Sequence, residues 1–239
     1  MKLIVTRPEP AATRTAEKLQ AMGHEVAISP VLEIVATDTK MPNGDYSMII
    51  ITSASALQVL KQQDFDQPLL NIAVYVVGDK TAKNAKDFGF QNVHSAAGNA
   101  LDLAELIKLR FDVSATAKNP ALYICGQHST SGFTDELSKI GLNFNRWINY
   151  NANLVDHLTN KSINFLTSDD SIGILLYSAR SARRFSELID QQIITYNIDN
   201  MNIFVLSSTI KDALSKDLQK VAKIAQKPDE QSLFALIPS

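Results

Sequence analysis

The feature that most limits how this chain can fold is a series of short segments that occurs twice in the same order. Leu3-Ile4-Val5-Thr6 is matched 119 residues later by Leu122-Tyr123-Ile124-Cys125, and each leads into an amphipathic stretch ending near a glycine, Gly23 or Gly141. Further on, Ile51-Thr52-Ser53-Ala54 resembles Leu176-Tyr177-Ser178-Ala179, and Val74 to Gly78 resembles Ile203 to Ser207. An order kept twice is the mark of duplicated supersecondary units, so two similar halves of about 120 residues each fit better than one large sheet. The repeat leaves open which pieces pack together, because a β-α-β unit at the N-terminus could complete the sheet of either half.

Within each half, short β-rich apolar runs alternate with stretches of helical periodicity. Leu3 to Val5, Glu25 to Ser29, Ser47 to Thr52, Ala73 to Val77, Ala121 to Cys125, Phe144 to Ile148, Ile172 to Tyr177 and Ile203 to Leu206 read as buried strands. Helices are expected over Ala11 to Met22, Ala54 to Gln62, Thr81 to Phe88, Ala100 to Phe111, Gly132 to Ile140, Ala179 to Asp190 and Ile210 to Ala225. This rhythm predicts an α/β protein with parallel sheets covered by helices on both faces.

Composition narrows the function classes. With 45% hydrophobic and 20% charged residues, a chain of 239 residues can bury a substantial core. A formal net charge of −2 supplies no global basic field, so neither nucleic acid nor an anionic membrane surface is an expected partner. The single cysteine, Cys125, excludes an internal disulfide and a multi-thiolate metal site. The apolar run near the start ends after Val5, too short for a secretory signal, and no run of about 18 apolar residues occurs, so a cytoplasmic location is expected.

Dinucleotide, P-loop, hydrolase-elbow and zinc-protease motifs are all missing. A hydroxyl or glycine recurs instead where a strand hands over to a helix: Thr6, Thr52-Ser53, Gly78 to Thr81, Gly126 to Ser129, Ser178, and Ser207 to Thr209. At that edge of an open α/β sheet, loops present N–H groups to ligands and helix dipoles favour anions. Each hydroxyl can equally serve as a helix cap, and one residue can do both. Arg7, Lys80, Arg180, Arg183, Arg184 and Lys211 lie near these loops, and Arg7, at a strand end before Pro8, is the strongest candidate for meeting a carboxylate. His24, His94, His128 and His157 show no metal-ligand spacing; Cys125 reads as a small buried hydrophobe and Tyr150, taken alone, as packing.

The order of these motifs resembles one enzyme family. Ile4 to Pro8 (IVTRP), Ile51 to Ser53 (ITS), Val74 to Ala82 (VYVVGDKTA), Gly98 to Ala104, Cys125-Gly126 and Tyr177-Ser178 together look like uroporphyrinogen-III synthase, over residues 3 to about 214. The resemblance implies two flavodoxin-like domains with parallel sheets, one of them discontinuous: residues 1–34 with 153–239, an inserted domain at 38–147, and a two-stranded connector at 31–37 and 148–153. It also implies the reaction, in which hydroxymethylbilane loses its terminal hydroxyl as water, has its last pyrrole ring inverted and is closed to uroporphyrinogen III, in a cleft between two domains. Such enzymes use no cofactor and no metal, and most act as monomers; transient contact with neighbouring pathway enzymes is a further expectation.

Carried over position by position, the resemblance makes Tyr150 the proton donor to the departing hydroxyl. It makes Ser53, Thr81 and Ser178 binding or orienting groups. Arg7, Thr52, Gly78, Lys80, Gly126, Gln127, Ser207, Ser208 and Thr209 are expected to bind substrate from their places at or near the strand exits, and the whole set suits a ligand with eight carboxylates on a flexible chain. One segment departs from the family pattern: where a glycine-containing, hydroxyl-rich turn is usual, this chain has Leu206-Ser207-Ser208-Thr209-Ile210-Lys211. The alternatives from other classes are a cytoplasmic two-domain binding protein for small anions and an inactive paralogue.

Overall fold

The structure is a computed structural model that describes residues 1–63, 65–96, 98–128, 131–192, 194 and 196–238, with only the backbone of Ser131. In chain order the elements are β1 (Lys2–Val5), α1 (Ala11–Ala21), β2 (Glu25–Ile28), β3 (Leu32–Ala36), β4 (Met48–Ile51), α2 (Ala54–Leu60), β5 (Ala73–Val77) and α3 (Asp79–Phe88). There follow β6 (Asn92–Ala96), α4 (Ala100–Arg110), β7 (Ala121–Gly126), α5 (Ser131–Lys139), β8 (Phe144–Leu154), α6 (Asn160–Leu166), β9 (Ile172–Leu176) and α7 (Ala179–Gln191). The chain finishes with β10 (Met201–Val205), α8 (Ser208–Asp212), α9 (Lys216–Lys220), β11 (Ala222–Ile224) and α10 (Glu230–Phe234). They form two compact units, Met1–Glu33 with Asn153–Ser239, and Ile34–Ala152.

In the first unit the strands run parallel in the order β2-β1-β9-β10-β11. Side chains alternate across the sheet, as the two-residue period of a strand requires. Leu3, Val5, Leu175 and Phe204 pack on one face against Ala12, Ala16 and Leu19 of α1 and Leu233 of α10. Ile4, Ile174, Leu176, Ile203 and Val205 pack on the other against Ala182, Phe185, Leu188 and Ile189 of α7.

The second unit has the order β3-β8-β7-β4-β5-β6, and β8 through β6 are parallel. Ile49, Ile51, Val74 and Val76 meet α2 and α3 through Ala56, Leu57, Leu60, Ala82 and Ala85. On the opposite face Met48, Ile50, Tyr75 and Tyr123 meet α4 and α5 through Leu103, Ala104, Ile107, Phe133 and Leu137. Cys125 belongs to this second cluster, a small apolar side chain in a packed core. The chain passes between the units in β3 and again in β8, which are neighbours at one edge of the second sheet.

The sheet orders resolve the packing that the repeat left open. By sequence β1 corresponds to β7, β4 to β9 and β5 to β10, and chain order pairs β2 with β8 and β6 with β11. Counted in repeat order, both sheets read 2-1-3-4-5, the flavodoxin-like order. Each β-α-β unit has joined the other half's three strands: β1-α1-β2 completes β9-β10-β11, and β7-α5-β8 completes β4-β5-β6.

Several elements differ from the sequence expectation. The strand beginning at Phe144 continues to Leu154. The single helix expected over Ile210 to Ala225 is instead α8, α9 and the edge strand β11. Ile210, Leu214, Leu218 and Ala222 follow one another every four residues and all enter the core, so the spacing imitates a continuous helix. The pairing of Ala222 with Ile203 takes the last of them into the sheet. The edge strand β6 was not expected, because Asn92, His94 and Ser95 hide its β character; α6 and α10 were likewise not expected. Among the described residues no helix is long and apolar enough to cross a membrane.

Candidate functional site

In each sheet the chain reverses direction of winding at one place, between β1 and β9 in the first and between β7 and β4 in the second. Strand exits at such a point splay apart and leave a crevice where α/β proteins bind ligands. The sequence-predicted residues fall into two groups, one for each domain.

In the second domain the exits are Gly126-Gln127 from β7 and Thr52-Ser53 from β4, and Tyr150 lies on β8 beside β7. Pairing slips between Cys125, opposite Ile148, and Gly126, opposite Tyr150. Asn149 is therefore an extra residue, a bulge that bends a strand and re-aims the next side chain. It is buried, and its Nδ2 donates to the Ala56 carbonyl of α2 at 3.0 Å. The Gln127 N–H donates to the Tyr150 carbonyl at 3.0 Å. The phenol of Tyr150 lies on Gly126, where a β-carbon would stand 2.6 Å from Cζ and 2.9 Å from Oη.

Burial raises the pKa of Tyr150, proximity to Cys125 adds to the rise, and a hydrogen bond with the Ser53 side chain opposes it. The net effect keeps the phenol protonated at neutral pH. Ser53 also caps α2, accepting from the Ser55 N–H at 3.2 Å. Thr52 Oγ1 lies 3.2 Å from the Tyr123 hydroxyl. Gly78 leaves β5 with φ of +75°, where a side chain would be strained whatever the space, and its N–H donates to the Ala96 carbonyl at 2.8 Å. Lys80 is exposed and Thr81 buried in the first turn of α3. His128 is exposed, and Ser129 lies outside the described residues.

In the first domain Thr6 closes β1 onto β9, its Oγ1 donating to the Leu175 carbonyl at 2.7 Å. Arg7 follows and stacks on Tyr177, its guanidinium carbon 4.2 Å from the ring centroid. Arg7 Nη1 donates to Thr15 Oγ1 at 3.3 Å and to Glu230 Oε1 at 3.0 Å. Thr15 Oγ1 donates to the same carboxylate oxygen at 2.7 Å, and Lys18 pairs with Oε2. Burial works against the charge of Glu230, but the hydrogen bonds from Lys18 and Thr15 and the charges of Lys18 and Arg7 outweigh it and hold the carboxyl below its usual range. Burial pushes the pKa of Tyr177 up to about 12.

Ser178 sits across the switch point from Arg7 and caps α7, accepting from the Ser181 N–H at 3.0 Å. Ser207 precedes α8 with its carbonyl accepting from Ile210 and Lys211, while Ser208 and Thr209 lie on the first turn, Thr209 exposed. Ile210 is buried in the core, so the residue that departs from the family pattern faces away from the strand-exit surface. Arg184 is buried and bonded to the Val155 carbonyl and Glu187, and Lys211 donates to the Ala222 carbonyl, so both are structural.

Sequence reading missed Thr15, Lys18, Asn149 and Glu230. The only available signal was the Asp229-Glu230 pair before a short apolar run, a helix start whose Asp229 accepts from the Ser232 N–H at 2.7 Å.

The profile described as uroporphyrinogen-III synthase HemD matches residues 13–235. A putative uroporphyrinogen-III synthase from Methanocaldococcus jannaschii is 25% identical over 218 residues, covering 88% of each chain. A porphyrin biosynthesis protein HemD from Ruminiclostridium josui is 26% identical over 181 residues, 67% of this chain but only 34% of that longer protein. Among solved structures, uroporphyrinogen-III synthetase from Helicobacter pylori superposes with a TM-score of 0.65 at 19% identity, covering 99% of this chain and 98% of that one. A mutant uroporphyrinogen III synthase from the extremely thermophilic bacterium Thermus thermophilus gives 0.50 at 14% identity, covering 98% and 96%. The profile runs through both domains and the fold is that of solved synthases, so this chain belongs to the uroporphyrinogen-III synthase HemD family.

Proposed function

We propose that this chain is a cyclising hydro-lyase that converts hydroxymethylbilane to uroporphyrinogen III, with Tyr150 as the general acid. The observation that supports this reading best is the phenol of Tyr150, laid on Gly126 at the switch point of the second domain. Hydroxide is a poor leaving group. When the terminal C–O bond breaks, the electron pair leaves with oxygen, the phenol supplies the proton, and water departs. The carbon left behind is stabilised as a cation by the adjacent pyrrole nitrogen. Inversion needs three bond changes. The last ring attacks this cation through the α-carbon that already carries its methylene bridge, and the bond from that carbon to the bridge breaks to leave a second nitrogen-stabilised cation. The bridge then re-bonds to the ring's other α-carbon, whose proton is released and restores the phenol, so the enzyme ends as it began. Donation from Ser53 to the phenolate steadies it between giving up the proton and regaining one.

The strand-exit groups bind and orient. Thr52, Ser53, Gly78, Lys80, Thr81, Gly126 and Gln127 in the second domain, and Arg7, Ser178, Ser207, Ser208 and Thr209 in the first, offer hydroxyls, N–H groups and cations to the substrate's carboxylates. Many modest contacts suit a flexible polyanion that has to be held in one reactive conformation. The enzyme acts in the cytoplasm as a monomer. The test is product analysis: the type III isomer forms in excess over the type I isomer that arises without catalysis, and Tyr150→Phe abolishes the excess.

A further inference from the structure

Arg7 is held on three sides yet only half used. A guanidinium has five N–H groups, on Nε, Nη1 and Nη2. Among the described residues only Nη1 has well-placed acceptors, Thr15 Oγ1 and Glu230 Oε1. The ring of Tyr177 lies 4.2 Å from the guanidinium carbon, and an arginine whose Nε and Nη2 are not engaged can receive a carboxylate through two parallel hydrogen bonds. The side chain keeps 20% of its surface exposed to solvent. The Tyr177 hydroxyl beneath is buried and, among the described residues, lacks a hydrogen-bond partner of good geometry. Thr15 and Arg7 come near enough only to oppose the rise of its pKa, so it is a second polar group in the same place with unused capacity.

Glu230 acts as a fixture here, not as a displaceable occupant. Its helix is capped by Asp229 and anchored by Leu233, which is fully buried against the sheet. With Lys18 also paired to Glu230, the two cations exceed the one carboxylate, and the cluster remains attractive to an anion.

We propose that the Nε/Nη2 edge of Arg7 is a carboxylate-binding subsite of the first domain, held in place by Tyr177, Thr15 and Glu230, and that it takes one carboxylate side chain of the pyrrole substrate. Naming the ligand as a pyrrole carboxylate rests on the proposed activity; the free edge does not.

The probe is uroporphyrin III, the stable oxidised form of the proposed product, titrated by fluorescence anisotropy. Arg7→Lys keeps a cation for Glu230 but lacks the planar second edge. It should bind about tenfold more weakly than wild type, the loss expected for a charge-assisted pair. Tyr177→Leu, which changes no charge, should weaken binding likewise, while Tyr177→Phe, which keeps the ring and loses only the hydroxyl, should weaken it less. Phenylglyoxal should modify Arg7 in the free protein, read by mass of its peptide, and saturating uroporphyrin III should protect it. Unaltered affinity of Arg7→Lys, or unaltered modification with ligand bound, overturns the proposal. A wild-type protein that binds no uroporphyrin contradicts the activity instead. In that case citrate decides the subsite: protection of Arg7 by citrate upholds it, and no protection overturns it.

Discussion

The ring of Tyr150 rests on the α-carbon of Gly126, and a methyl group there would stand 2.6 Å from its Cζ and 2.8 Å from Cε2. The neighbour that has to give way is the phenol itself. Gly126→Ala is therefore expected to push Tyr150 out of its place, costing about 1–3 kcal/mol of stability. Turnover should fall by roughly 10²-fold, as misplacing a reacting group by about 1 Å can do. Urea unfolding and steady-state kinetics on one preparation check both; an alanine variant with wild-type turnover would show that the contact does not position the acid.

Tyr150→Phe removes the proton and keeps the ring. Turnover is expected to drop by roughly 10²-fold or more, with binding of uroporphyrin III unchanged. Unchanged turnover would remove Tyr150 from the acid's role, and lost binding would make it a substrate contact instead.

The Arg7–Glu230 cluster gives a pH dependence of definite sign. The carboxyl of Glu230 is held below its ordinary value, so its contribution to stability is complete above the unfolded-state value and is lost as pH falls through the folded one. Thermal unfolding followed from neutral to acid pH should show a destabilisation in wild type that is smaller in Glu230→Gln. Parallel curves for the two proteins would mean that the cluster does not couple to folding.

Ile210 marks how far the sequence alone could be read. It belongs to the segment that departs from the family's hydroxyl-rich turn, and its side chain fills the core beside Leu214 and Leu218. Ile210→Thr restores a hydroxyl and should cost about 2 kcal/mol by burying it without a partner, leaving the turnover of the folded fraction as it was. A gain in turnover would show that the segment does contact substrate.

Much of the fold was legible because a buried parallel strand writes itself as an apolar run. Met48–Ile51 and Ile172–Leu176 are buried at every position. Elements with little apolar signal were not legible: the polar edge strand β6, and the five-residue α10, which is held by Leu233, Phe234 and the Glu230 carboxylate. The exchange of β-α-β units could not be read from the repeat, since equivalent pieces fit either sheet; only the family resemblance implied a discontinuous domain. The strand-exit hydroxyls were visible as a pattern. The partners of Arg7 were not, because Glu230 lies 223 residues away and nothing in its neighbourhood points to a strand end.

The most direct test of the whole account is the isomer made by the purified protein. Hydroxymethylbilane is generated in situ, the protein is added, and the products are oxidised and separated into type III and type I uroporphyrins. The account predicts type III in clear excess over a control without the protein, and loss of that excess in Tyr150→Phe. Type I alone, from a sample shown to be folded, would contradict it.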